Sequence, residues 1–81
     1  MPTTLQRTLA ANHLGNRWLA SKTGLPLNRI NRLTIGYARW KRSEADAVAE
    51  ALAAETARPV AEVYAQLFTG VEIRPDKAAV A

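Results

Sequence analysis

Eight cations, Arg7, Arg17, Lys22, Arg29, Arg32, Arg39, Lys41 and Arg42, lie in the first 43 residues, and no aspartate or glutamate accompanies them. Guanidinium and ammonium groups without carboxylate neighbours suit a polyanion, above all a phosphate backbone. All seven acids fall between Glu44 and Asp76, alongside Arg58, Arg74 and Lys77. The first part therefore carries +8 and the remainder −4, for a net +4. Other chemistry is thinly represented. His13 is the only histidine and cysteine is absent, which excludes disulfides and thiolate metal sites and leaves no basis for a histidine triad. No nucleophile–base pair, phosphate loop or metal-ligand cluster is visible, so the expectation is a protein that is not an enzyme and needs no cofactor. The acids of the second half read as solvated helix faces and helix-dipole partners.

Those cations must be held by a small scaffold. The chain has 81 residues, enough for one domain with a modest core. Its hydrophobic content of 48% is that of a globular chain, and much of it is alanine, which favours closely packed helices over sheets. No apolar run reaches the roughly 18 residues of a membrane span. The start lacks a signal-peptide pattern, and the lack of cysteine fits a reducing cytoplasm.

Five helices are expected. Leu5 and Leu9, spaced i, i+4, place the first over about 3–12, ending at Asn12-His13, where Asn tolerates left-handed geometry. Gly15 or Asn16 caps the second, about 16–23, with Trp18, Leu19 and Ala20 on its apolar side. Gly24 stops it in the left-handed conformation that a tight turn needs. Pro26 opens the third at its first position, running to Thr34 with Ile30 and Leu33 inward. Residues 36–42 read as a basic, aromatic loop in which Trp40 is at least partly core. Ser43 with Asp46 resembles a capping box for the fourth helix, about 44–55, with Ala45, Val48, Ala49 and Leu52 on one face. Pro59 opens the fifth, to Phe68, with Val60, Val63, Tyr64, Leu67 and Phe68 inward. Domain 1–69 then gives way to a tail, 70–81, that is either a short strand or arm, or disordered.

The segment 16–35 has the residues that a helix-turn-helix requires. Ala20 is small where two helices meet, Gly24 supplies the turn, Leu25 fills the space beneath it, and Ile30 and Leu33 pack the second helix back. On Ala20, Gly24, Ile30 and Leu33 the chain resembles the phage repressor and Cro-like (Xre-type) family of DNA-binding domains. The resemblance extends more weakly to Gly36, to the run 49–52 and to Leu67-Phe68, and so covers about 3–68.

That resemblance implies an all-α, five-helix, lambda-repressor-like fold and a sequence-specific repressor that places helix 3 in the major groove. It implies base reading by Leu27, Asn28, Asn31 and Arg32, with Ile35 at the margin: Arg32 on guanine, either asparagine on adenine, Leu27 against a thymine methyl. Phosphate contacts fall to Asn16, Arg17, Lys22, Arg29, Arg39, Lys41 and Arg42. Asn16 stands where the family often has a longer glutamine, and Pro26 and Leu27 stand where polar residues are common. One recognition helix reads few base pairs, so a homodimer on an inverted repeat is expected, with half-sites about 34 Å apart. Tyr64, Leu67, Phe68, Val71 and Ile73 are its candidate surface, or else close the chain's own core. The alternative is an adaptor that uses the same fold to bind an acidic partner protein. Either would act in the cytoplasm, the repressor on the nucleoid.

Overall fold

Thr3 starts the first helix in the computed structural model, which describes residues 3–75. Its side chain accepts from Gln6 N–H at 3.1 Å while Gln6 Oε1 accepts from Thr3 N–H at 2.9 Å, a complete capping box. Along the chain follow α1 (Thr4–Ala11), α2 (Asn16–Thr23), α3 (Leu27–Thr34), β1 (Trp40–Lys41), α4 (Arg42–Thr56), α5 (Val60–Phe68) and β2 (Ile73–Arg74). All five expected helices are present among the described residues. The chain divides into two units between Ala38 and Arg39.

The first unit holds α1, α2 and α3, with Leu5, Leu9, Leu19, Ile30 and Leu33 buried. Asn12 caps α1 at φ −103°, so the left-handed residue is His13, at φ 58°, rather than the asparagine. Gly15 caps α2, and α2 packs on α3. Pro26 is the N-cap of α3 rather than its first helical residue. Its φ of −60° suits either place, but its ψ of 142° is extended, and its carbonyl accepts the first helical bond from Ile30 N–H at 3.0 Å. Pro59 plays the same part for α5, with ψ 139°.

The second unit departs from the sequence expectation in several places. The stretch expected to be a loop contains β1, whose Trp40 and Lys41 pair in parallel with Ile73 and Arg74. The expected all-α fold thus carries a two-stranded sheet, and the tail forms a short strand through Arg74; residues 76–81 lie outside the described chain. Helix α4 begins at Arg42, ahead of Ser43, because Glu44 Oε1 accepts from Lys41 N–H at 3.0 Å and closes the helix start there. This is the returning half of a capping box only, since an ammonium side chain at the cap can accept nothing. Asp46 accepts from Arg42 Nε at 3.3 Å. Glu44, expected on a solvated face, is 7% exposed.

Ala45, Val48, Ala49 and Leu52 are buried as expected, and α4 packs along α5 through Val63, Leu67 and Phe68. Trp40 is buried with its ring edge-on to Phe68, centroids 4.8 Å apart, a favourable aromatic geometry. Val60 faces solvent and Tyr64 is half-buried, against the inward positions expected for both. No described helix is long and apolar enough to cross a membrane.

Candidate nucleic-acid interface

The acid-free character of the first 43 residues holds for the whole first unit. Arg7, Arg17, Lys22, Arg29 and Arg32 give it +5 with no carboxylate side chain. Within it, three residues separate α2 from α3. Gly24 adopts φ 75° and donates to Ala20 O at 2.9 Å, which ends α2. Thr23 Oγ1 donates to Leu19 O at 2.8 Å and accepts from Leu25 N–H at 3.3 Å, so the turn's backbone is satisfied locally.

Helix α3 has two unlike sides. Ile30, Leu33 and Thr34 are buried; Leu27, Asn28, Asn31, Arg32 and Ile35 are exposed. At about 100° per residue the five exposed positions fall on one continuous arc. From Leu27 to Arg32 that arc runs about 7.5 Å along the axis, or about two base-pair steps of 3.4 Å. All four expected base readers lie on it. Asn31 and Arg32, consecutive in sequence, lie about 100° apart around the axis, with Arg32 at one edge of the arc.

The hydrogen bonding around Asn16 was not foreseeable from its place in the sequence. Asn16 Nδ2 donates to Asn31 Oδ1 at 2.8 Å and to Thr34 Oγ1 at 3.3 Å. Thr34 is 1% exposed; its hydroxyl donates to Asn31 O at 3.1 Å, and its carbonyl accepts from Thr3 Oγ1 at 2.8 Å. One buried threonine therefore ties the cap of α1 and the first residue of α2 to α3. An amide nitrogen has two hydrogens, and both of Asn16's face acceptors inside the unit. Its expected phosphate contact is not available from that nitrogen in this arrangement.

The other expected phosphate residues differ in their freedom. Arg17 and Lys22 are exposed and make no side-chain hydrogen bond or ion pair with other described residues. Arg29 is half-buried. In the second unit, Lys41 is exposed, Arg39 Nε lies 4.0 Å from Glu72 Oε1, and Arg42 is held by Asp46 and sits 5.4 Å over the Tyr64 ring. Two of these three expected phosphate residues are thus engaged with the acidic half of the chain. These pairs are exposed and contribute little to stability, at most about 1 kcal/mol each.

Of the candidate dimer residues, Leu67 and Phe68 are buried in the chain's own core. Tyr64 and Ile73 are half-buried and Val71 is exposed. Tyr37, which sequence reading passed over, is the most exposed large apolar side chain described, at 85%. Its N–H donates to Arg32 O at 2.8 Å, closing α3, and the adjacent Ile35 is 53% exposed. Tyr37 follows Gly36 in the stretch expected as a loop, and Ile35 is the residue expected at the margin of the reading face.

Trp18 is half-buried in α2, and His13 is exposed at the end of α1. Among the described residues no group of three or more histidine, aspartate or glutamate side chains could hold a metal ion. No protein-family model matches the chain, and no curated protein or solved structure is significantly similar to it.

Proposed function

We propose that this chain is a sequence-specific double-stranded DNA-binding regulator of the lambda-repressor-like kind, a small Cro-like repressor whose helix α3 enters the major groove. The observation that carries the reading is the exposed arc Leu27, Asn28, Asn31, Arg32 and Ile35 on a unit with five cations and no acid. The polar members of the arc carry groups that distinguish base edges, and the apolar ones match the thymine methyl. Arg17 and Lys22, without side-chain partners among the described residues, supply phosphate contacts that position the unit without reading sequence.

An arc two base-pair steps long discriminates too few positions for a single operator. A homodimer on an inverted repeat, half-sites about 34 Å apart, supplies the rest. Val71, Tyr64 and Ile73 remain the accessible candidates for that contact, and the protein acts on the nucleoid in the cytoplasm.

A second reading, an adaptor for an acidic partner protein, draws on Tyr37 and Ile35, which add apolar surface beside the cations. Selection of bound fragments from random double-stranded DNA decides between the two. The regulator enriches a short, symmetric site whose binding weakens steeply with salt. Binding of all DNA alike, with no sequence enriched over the starting pool, refutes the regulator and leaves the adaptor.

A further inference from the structure

We propose that Asn16 is a positioning residue: it fixes which end of the Asn31 amide faces a bound base, so that Asn31 offers only N–H donors there. This rests on reading α3 as the recognition helix, and it assigns the base position under Asn31 a rule against cytosine.

The oxygen and nitrogen ends of an asparagine amide have nearly the same shape, and a half-turn about the last bond exchanges a donor for an acceptor. In most exposed asparagines nothing selects between the two. Here a chain of hydrogen bonds does, and its direction is set at a backbone carbonyl, which can only accept. Thr34 Oγ1 donates its one hydrogen to Asn31 O at 3.1 Å. It can then only accept from Asn16, whose Nδ2 approaches at 3.3 Å. With Asn16 so oriented, the other hydrogen on Nδ2 meets Asn31 at 2.8 Å, and the Asn31 atom there must be the acceptor Oδ1.

The reversed network is poorer. Turning both amides would let Thr34 and Asn31 donate to Asn16 Oδ1, but the Asn31 carbonyl would lose its threonine donor. Turning Asn31 alone would set one NH2 against another. With both turned, the Asn31 carbonyl would keep only the long bond from Ile35 N–H at 3.4 Å, and the hydroxyl of Thr34, a residue 1% exposed, would make one bond in place of two. The amide of Asn31 is thus held with Nδ2 turned from α2, and Nδ2 makes no hydrogen bond to another described residue.

In the major groove, donors match purine N7, guanine O6 and thymine O4; cytosine presents its N4 amino group, itself a donor. Asn31 accordingly disfavours cytosine, and it does so only while Asn16 holds it.

The test uses the full chain and sites selected from random DNA, comparing wild type with Asn31→Ala, Asn16→Ala and Asn16→Asp, each checked for helix content by circular dichroism. Asn31→Ala identifies the base position concerned. Asn16→Ala is expected to relax discrimination at that same position and nowhere else. Asn16→Asp has nearly the same shape but only accepts, so it captures Asn31 Nδ2 and turns Oδ1 to the base. Cytosine should then gain roughly 5- to 100-fold relative to the other bases at that position, on top of a uniform weakening from the new charge. If both Asn16 variants weaken every site alike and leave each base preference unchanged, Asn16 touches phosphate and the proposal is overturned. The lock itself is read without DNA, as a nuclear Overhauser contact between the Asn16 Nδ2 protons and the Thr34 side chain. Its absence overturns the proposal whatever the DNA result. Its presence in a wild type that selects no sequence refutes the DNA reading, and the base rule with it, but not the hydrogen-bond chain.

Discussion

Replacing Gly24 by alanine isolates the backbone requirement of the turn between α2 and α3. Gly24 sits at φ 75°, and a Cβ built on it meets nothing within 4 Å. No clash therefore contributes, and the loss is that of the left-handed backbone alone, about 1–2 kcal/mol for an L residue. Alanine also restricts the unfolded chain, which returns about 0.4–1 kcal/mol. The net expectation is a destabilisation of about 1 kcal/mol, or a fall in Tm of about 4–8 °C for a chain of this size. Gly15→Ala is the matched control. Gly15 also has open space for a Cβ, but its φ of −125° is ordinary extended backbone. There the loss of a preferred cap residue and the unfolded-state gain nearly cancel, for a change of about zero. Gly24→Asn should fall between the two, since asparagine tolerates the left-handed region. Thermal and urea unfolding followed by far-UV circular dichroism measure all three. Below the transition, DNA affinity of Gly24→Ala should equal that of wild type, because no contact has changed. The reasoning fails if Gly24→Ala is no less stable than Gly15→Ala. A loss of about 3 kcal/mol or more would also contradict it, by revealing a contact that the open space excludes.

The remaining predictions concern the arc, the phosphates and the core. Arg32→Ala should cost about 1–3 kcal/mol at one base position and relax discrimination there; an equal loss at every site in competition assays would remove its reading role. Arg17→Ala should weaken all DNA alike and lower the slope of log affinity against log salt by about one unit, as the loss of one phosphate contact requires. Arg42→Ala should change that slope less, because its guanidinium is engaged by Asp46 and Tyr64; a full unit would show that DNA displaces both. Leu52→Ala empties a fully buried position and should lose about 2–5 kcal/mol in urea unfolding, while a loss under 1 kcal/mol would mean that α4 and α5 close over the gap.

Sequence alone determined what is local. Three helices were marked by signals within a few residues of their ends: Gly24 after α2, Gly36 after α3, proline ahead of α3 and α5. The exposed arc followed from Ile30 and Leu33, because helical period fixes one face once the other is known. Tertiary structure decided what depends on distant partners. Trp40–Lys41 pairs with Ile73–Arg74 across more than thirty residues, and two-residue strands are too short for alternation to reveal them. Whether Leu67 and Phe68 served a dimer or the core was open until Phe68 met Trp40. The cap of α4 moved from Ser43 to Lys41, and its first residue from Glu44 to Arg42, because a buried Glu44 reached back to the Lys41 N–H. Asn16 could be read as a phosphate ligand by position, but only its approach to Asn31 and Thr34, fifteen and eighteen residues away, shows where its two hydrogens go. A side chain's type sets which bonds it can make; the fold sets which of them are already taken.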